Sequence, residues 1–359
     1  MKILPNNSSL IYSGRIDWSD PFAIVWTYPG TFVRIKFKGT QLSIHVRNKH
    51  NYWNNYLGVV EGDAQTKLLL PKEGEATIEI PLQTTQDNIH EVTIFKRQDA
   101  CHELTILGFE INCNTDDECE LLEASPLPPR RIEVYGDSVS AGEVSEAVDY
   151  VAKSDPEHNG EYSNSWYSYA WIAARKLDAQ LHDIAQGGVA LLDNTGWYHE
   201  PDYIGMEHVW NKMRYDSSYG QVTEWDFSKY TPDIVVITGH DAYYRKRKNG
   251  SKYKNTSNFV ECVKMARTYE KSHQKLIIIA GACQSDYEEL IKAGANFASS
   301  PKRINIHALD PAIVAGCMAF SDINNNIDLI NILEKTKYGS AGMGGIITKG
   351  TMYTGYPRE

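Results

Sequence analysis

Between residues 10 and 112 apolar and polar side chains alternate in short runs broken by turn residues. Thr31-Phe32-Val33-Arg34-Ile35-Lys36-Phe37-Lys38-Gly39 is the clearest run, and 41–46, 56–60, 75–80, 91–96 and 103–111 repeat it. A strand sends successive side chains to opposite faces, so this alternation predicts half-buried antiparallel strands. Several such strands at close spacing, with almost no helical periodicity between them, predict an all-β sandwich over 1–113. Residues 114–130 then turn acidic (Asp116, Asp117, Glu118) and proline-rich (Pro126, Pro128, Pro129), which reads as a linker. Beyond it the rhythm changes. Apolar runs at 131–135, 180–185, 233–238, 275–280 and 303–308 read as strands, and 165–177, 258–269 and 287–293 read as helices. Alternating strands and helices imply crossover connections, hence a parallel sheet in a three-layer α/β domain over 131–359. Active sites in such sheets lie at the carboxyl ends of the strands.

Composition narrows the function. The chain has 359 residues, enough for two cores, and a formal net charge of -10. That charge argues against nucleic acid, which is held by clustered Lys and Arg. No apolar run approaches the roughly 20 residues of a membrane helix, and residues 1–9 lack a signal-peptide core, so no membrane partner is expected. The six cysteines (Cys101, Cys113, Cys119, Cys262, Cys283, Cys317) form no CxxC pair and read as free thiols in a reducing cytoplasm. With no HExxH and no paired Cys or His at metal spacing, neither metal nor cofactor is expected.

The first α/β strand ends in Tyr135-Gly136-Asp137-Ser138-Val139-Ser140-Ala141-Gly142. A serine on a glycine-flanked turn entering a helix is exposed and near backbone amides able to stabilise an oxyanion. The same position suits a helix N-cap, so the local sequence leaves both roles open.

Residues 14–236 resemble carbohydrate esterase family 2, a branch of the SGNH (GDSL-type) hydrolases. The resemblance rests on Gly14-Arg15-Ile16-Asp17, Gly136-Asp137-Ser138, Asn164-Ser165-Trp166, Gly187-Gly188 and the stretch from Trp225 to Asp233. It implies a jelly-roll sandwich ahead of an SGNH-like domain, with Ser138 as nucleophile, Asp137 in its block and Gly188 as an oxyanion donor. Two family blocks depart from the pattern. Gly-x-Asn-Asp is replaced by Gly239-His240-Asp241, and the Asp-x-x-His that supplies the base is missing; the reversed spacing His307-Ala308-Leu309-Asp310 comes nearest. A serine without a base is a poor nucleophile.

The C-terminal part carries a second arrangement. One apolar strand runs into Gly239-His240-Asp241, and the next, 43 residues on from His240, into Ala282-Cys283-Gln284. A histidine and a cysteine ending neighbouring parallel strands form a caspase-like dyad, and a thiolate needs little beyond a nearby imidazole. A buried free cysteine and a structural histidine account for each residue separately. Residues 232–358 resemble the YabG sporulation-protease family through 237–241, 280–285, 293–301, 303–311, Gly344-Gly345-Ile346 and 354–358. That resemblance implies Cys283 as the catalytic cysteine and His240 as its histidine.

The α/β domain is thus an SGNH-like/caspase-like hybrid, with 131–231 and 232–359 of different likeness. A strand order 2-1-3-4-5 places Ser138, His240 and Cys283 on one rim. The expected reaction is acyl transfer to water through a covalent acyl-enzyme. The lead is a cysteine peptidase with Cys283 attacking and His240 as base. The alternatives are a carbohydrate O-acetyl esterase using Ser138 with His240 or His307 as base, and an inactive carbohydrate-binding scaffold. Asp241 and Asp310 are supporting candidates. The substrate is accordingly a protein or an acetylated carbohydrate. A basic loop (Arg245, Lys246, Arg247, Lys248, Lys252, Lys254) reads as solvated or as recognising an acidic substrate, and Tyr52, Trp53, Tyr56 and Tyr198 as core aromatics or sugar-stacking surfaces.

Overall fold

The computed structural model describes residues 1–49, 52–85, 87–114, 119–157, 159–198, 203–214, 221–246 and 252–353. Acidic 116–118, Arg247, Lys248 and the tail 354–358 lie outside them.

Two six-stranded antiparallel sheets form the N-terminal sandwich. One contains β1 (Lys2–Ile3), β3 (Ile16–Asp17), β4 (Ile24–Trp26), β6 (Gln41–Lys49), β9 (Glu73–Ile80) and β11 (Glu103–Asn112). The other contains β2 (Ile11–Ser13), β5 (Phe32–Lys38), β7 (Tyr56–Glu61), β8 (Ala64–Leu69), β10 (Ile89–Lys96) and β12 (Glu120–Leu122). In β5 the inward set Val33, Ile35 and Phe37 meets Ile24, Trp26, Leu42, Ile44 and Ile106 of the facing sheet, which is the alternation read from sequence. Edge strand β8 escaped that reading because its side chains are exposed or half-exposed on both faces. Strand β12 lies within the segment read as linker and pairs with β5, Leu121 opposite Phe37.

The cysteine expectation needs correction. Cys113 and Cys119, just after β11 and just before β12, form a disulfide with their Cα atoms 5.6 Å apart, so only Cys101, Cys262, Cys283 and Cys317 are free. The pairing was hidden because proximity comes from the placement of the end of β11 and the start of β12, not from a recognisable spacing. The free-thiol argument for a reducing compartment therefore loses two of its six members.

The α/β domain holds a sheet ordered β14-β13-β17-β18-β19-β20: β13 (Arg130–Gly136), β14 (Ala179–Ala185), β17 (Ile234–Ile237), β18 (Ile277–Ala280), β19 (Phe297–Ser299) and β20 (Met343–Gly345). The first five are parallel in the expected 2-1-3-4-5 order, and β20 pairs antiparallel with β19, so the sheet is mixed. A small hairpin, β15 (Lys212–Arg214) with β16 (Thr223–Glu224), stands apart. Every residue of β17 and β18 is buried, as strands covered on both faces require. Ile132, Val134, Leu181, Val236 and Ile279 pack toward α2 (Tyr169–Lys176) and α6 (Asp310–Phe320). Ile184, Val235, Ile237, Ile278 and Ala280 pack toward α4 (Thr256–Tyr269) and α5 (Tyr287–Ala293).

The fifth strand was misplaced. It is Phe297–Ser299, directly after Gly294 closes α5 in a left-handed cap, whereas 303–308 is an irregular, mostly exposed connection into α6. Three buried residues are too short a run to announce a strand, and Ile304 and Ile306 mimic one by alternation alone. Among the described residues no helix is long and apolar enough to cross a membrane.

Candidate active site

At the carboxyl end of β13 the chain turns within one residue into α1 (Ser138–Ala141), with Asp137 as its cap: Oδ1 accepts from the Val139 amide at 3.1 Å. Gly136 is required at this turn, because a Cβ there would stand 1.9 Å from Ser140 Oγ. Ser140 is itself fixed. Its hydroxyl pairs with Tyr169 OH at 2.8 Å, and Tyr169 OH with Thr238 Oγ1 at 2.9 Å, tying α1, α2 and the end of β17 together. Ser138 is left partly exposed at the rim.

After β14 the chain passes through Gly188 at φ +74°, where glycine avoids the strain of a side chain. Its carbonyl accepts from the Trp197 and Tyr198 amides at 2.8 and 3.2 Å, closing a loop of which Val189 and Gly196 form the bridge. The flanking amides are engaged, Gly187 by Asp99 Oδ2 and Val189 by the Gln186 carbonyl.

His240 follows β17. Its Nδ1 lies 2.7 Å from Asp137 Oδ2, and its carbonyl accepts from Asn255 Nδ2 at 2.8 Å. The ring is 79% exposed, while the Asp137 side chain is only 12% exposed. The hydrogen bond to Asp137 raises the imidazole pKa above its ordinary value, with partial burial working against it and the carboxylate's charge adding to it. With Nδ1 committed to Asp137, Nε2 is the nitrogen left for a substrate or nucleophile. Ser138, Asp137, Gly188 and His240 line one cavity of about 410 Å³, together with Thr195, Trp197, Thr238, Lys254 and Asn255.

Asp241 has a different task. Oδ1 accepts from the Ala242 and Asn255 amides, each at 2.8 Å, and Oδ2 from the Thr256 hydroxyl, whose oxygen accepts from the Asp286 amide. It is a buried strut between the loop after β17 and the start of α4. His307 and Asp310 belong to the turn that opens α6: Asp310 Oδ2 accepts from the His307 amide at 3.0 Å, and Oδ1 from the Lys337 amide. Neither lines the Ser138 cavity; of the two histidines expected as a base, only His240 does.

Cys283 is half-buried after β18. Ile237 pairs with Ala280 across β17 and β18, so His240 and Cys283 sit at equal offset beyond their strands. Gln284 joins the two loops, its Oε1 accepting from the Tyr243 amide at 3.1 Å. Cys283 is not part of the wall that carries Ser138 and His240.

Of the basic loop, Arg245, Lys246 and Lys254 line an adjacent surface hollow with Tyr243 and Tyr244, and Lys254 reaches the Ser138 cavity as well. Tyr198 is 2% exposed and belongs to the core. The exposed aromatic at the cavity is instead its neighbour Trp197, at 84%, which the sequence reading passed over because nothing in 195–198 marks which aromatic turns outward.

One group of potential metal ligands occurs among the described residues, buried Asp99, Cys101 and His102, with ligand atoms within 4.8 Å of one another. Lys96 Nζ, fully buried beside it, donates to the carbonyls of Gln98 and Asp99.

Two family models match the chain: the carbohydrate esterase 2 N-terminal family over residues 12–117 and the YabG peptidase U57 family over residues 207–357. The second begins upstream of the division read at 231/232. The sporulation-specific protease YabG of Bacillus subtilis is 47% identical over 133 residues, covering 36% of this chain and 46% of the relative. The cellulase/esterase CelE of Acetivibrio thermocellus is 28% identical over 233 residues, covering 65% of this chain and 26% of the relative. The chain therefore spans less than half the length of either. A family two carbohydrate esterase from Clostridium thermocellum, solved with cellohexaose, superposes with a TM-score of 0.60 at 22% identity, over 79% of this chain and 83% of that one. At that identity the likeness concerns the fold, a sandwich followed by an SGNH-like domain.

Proposed function

We propose that the chain is a hydrolase, and that its reaction is removal of an O-acyl group from a carbohydrate through Ser138. The observation that carries this reading is the Asp137–His240 pair in the same cavity as Ser138 and Gly188. It supplies the base whose absence from its usual block made the serine look stranded. Asp137 fixes the tautomer, so Nε2 of His240 takes the proton as Ser138 Oγ attacks the acyl carbonyl. The Gly188 amide meets the developing oxyanion. His240 then gives the proton to the sugar oxygen that leaves. Water attacks the acyl-enzyme, its proton passing to His240 and on to Ser138, and the carboxylic acid departs. Trp197, exposed at the rim, offers a face to a sugar ring. The sandwich likeness to carbohydrate esterases supports the substrate class.

The cysteine peptidase reading, with its caspase-like pairing of His240 and Cys283, keeps a specific support: the two residues share an offset on paired strands within the segment matching the YabG family. In it the imidazole leaves Asp137 and turns toward β18.

Hydrolysis of 4-nitrophenyl acetate, acetylated xylan and casein by wild type, Ser138→Ala, His240→Asn and Cys283→Ala separates the two. The esterase reading expects ester hydrolysis to fall at least about 10²-fold in Ser138→Ala and His240→Asn, and Cys283→Ala to match wild type. Casein cleavage abolished by Cys283→Ala and retained by Ser138→Ala reverses the assignment. Silence on all three substrates with oligosaccharide binding intact leaves a binding scaffold.

A further inference from the structure

The sandwich reaches into the rim of the other domain. From the end of β10 the segment Lys96-Arg97-Gln98-Asp99 is wedged against the α/β domain. Arg97 Nη2 pairs with Glu146 at 2.6 Å, its Nε donates to the Ser163 carbonyl at 3.2 Å, and its own carbonyl accepts from the Ser165 amide at 2.9 Å. At the tip, Asp99 is 2% exposed. Its Oδ2 accepts from the Gly187 amide at 2.9 Å and from Gln186 Nε2 at 2.7 Å. Gln186 in turn donates to the Gly187 carbonyl, while its backbone amide donates to the carbonyl of Gly136, the last residue of β13.

Asp99 also meets Glu143, which follows α1 and whose amide donates to the Ser138 carbonyl at 3.0 Å. Burial, followed by Asp99's charge and hydrogen bond, pushes Glu143 up to about 10, which favours its neutral form beside Asp99. Burial works to raise Asp99, yet His102, the Glu143 hydrogen bond, Lys96 and the Gly187 amide together hold it below the ordinary carboxylate value. The packing at this point is tight. A Cβ on Gly187 would stand 1.6 Å from Glu143 Oε1 and 2.8 Å from Asp99 Oδ2.

We infer that Asp99 of the sandwich is a positioning residue of the Ser138 site, setting the Gly187–Gly188 loop against the start of α1. One carboxylate grips the amide beside the oxyanion donor, and it also holds Gln186, whose own amide donates to the Gly136 carbonyl at the end of the strand that leads into the Ser138 turn. The sandwich is thereby part of the catalytic apparatus, which the sequence treated as lying wholly in the second domain. The inference rests on the Ser138 reading for its catalytic meaning and on geometry alone for the positioning.

The test combines ester kinetics with hydrogen exchange of the peptide covering residues 186–190, in wild type, Asp99→Ala, Asp99→Asn and Ser138→Ala. Asparagine keeps an oxygen for Gly187 and Gln186 and offers an amide to Glu143. We expect Asp99→Ala to speed exchange in 186–190 and to lower kcat at least about tenfold, with KM changed less than about threefold. Asp99→Asn is expected to restore kcat to within about threefold of wild type and to restore slow exchange. If Asp99→Ala does not fold, Asp99→Asn compared with Gly187→Ala gives the same reading. There, faster exchange and a lower kcat in Gly187→Ala alone are the expected result. Unchanged exchange in Asp99→Ala overturns the positioning, and so does faster exchange with kcat unchanged in an enzyme that Ser138→Ala silences. Faster exchange in an enzyme that Ser138→Ala leaves active retires the nucleophile assignment and keeps the loop's dependence on Asp99.

Discussion

Arg15 offers the sharpest quantitative test of how the two domains are joined beneath this rim. It leaves the sandwich between β2 and β3 and is 1% exposed. Its Nε and Nη2 donate to Glu133 Oε1 at 3.1 and 2.8 Å, Nη2 also to Tyr135 OH at 2.8 Å, and Nη1 to the carbonyls of Trp210 and Lys212 at 2.6 and 3.2 Å. Tyr28, Tyr135, Trp225 and Phe227 surround the guanidinium at 5.3–5.9 Å. Glu133 lies on β13, the strand that ends in the Ser138 turn. Burial would raise its pKa; the charge of Arg15 reverses that, and with His182 and Tyr135 it brings Glu133 from the ordinary 4.5 down to about 2. A displacement of that size corresponds to about 3 kcal/mol at neutral pH.

Arg15→Met keeps most of the side-chain volume and strands the carboxylate, so about 3–5 kcal/mol of stability should be lost at pH 7 in urea titrations followed by tryptophan fluorescence. The double variant Arg15→Met/Glu133→Leu removes both charges and should recover most of it. The pH dependence has a definite sign. Glu133 is depressed in the folded state, so its contribution is complete above about 4.5 and disappears as pH falls through that value toward about 2. The gap between wild type and Arg15→Met must therefore narrow on acidification. A loss below about 1 kcal/mol at pH 7, or a gap that widens toward acid, refutes the reasoning.

Asp137→Asn removes the hydrogen bond that raises His240, so the acid limb of the kcat/KM profile for ester hydrolysis should move to lower pH while the maximum falls; an unmoved limb excludes His240 as the group titrating there. Gly136→Ala drives a Cβ against Ser140, which Tyr169 holds in place, and should cost about 1–3 kcal/mol along with a fall in kcat, both read on one purified sample by denaturant titration and ester assay.

Periodicity carried most of the fold because burial is what it reports. The alternation in β5, β6, β7, β9, β10 and β11 was legible since one face of each meets a core, while β8 and β12 were not, having few inward apolar side chains to display. The apolar runs of β17 and β18 were legible for the opposite reason, being buried on both faces. The site was legible one residue at a time. Ser138, Gly188, His240 and Asp137 were each picked out, but the contact that joins Asp137 to His240 spans 103 positions and depends on which strands are neighbours. Asp99 and Glu143 carried no signal at all, since an acidic residue in a polar loop reads as solvated until a second domain covers it.

The pairing of β13 with β17 explains how one site can draw on two likenesses. Ile132, Glu133, Val134 and Tyr135 lie opposite Ile234, Val235, Val236 and Ile237. That register places Asp137 two positions and His240 three positions beyond the last paired residues, on adjoining strand ends. Parallel strands of this kind are specified mainly by being apolar on both faces, and the two layers of core duly mix both parts of the chain: Val134 and Leu181 with Ile279 and Phe297 on one side, Ile184 with Ile278 and Leu290 on the other. A β17 drawn from either likeness meets that requirement, so the sheet constrains the join far less than the rim does. At the rim, on the Ser138 reading, the absence of an Asp-x-x-His block is offset only if the end of β17 carries an imidazole that Asp137 can reach. His240 meets that condition, which is why, on the Ser138 reading, replacing it, and not Cys283, is the substitution expected to abolish ester hydrolysis.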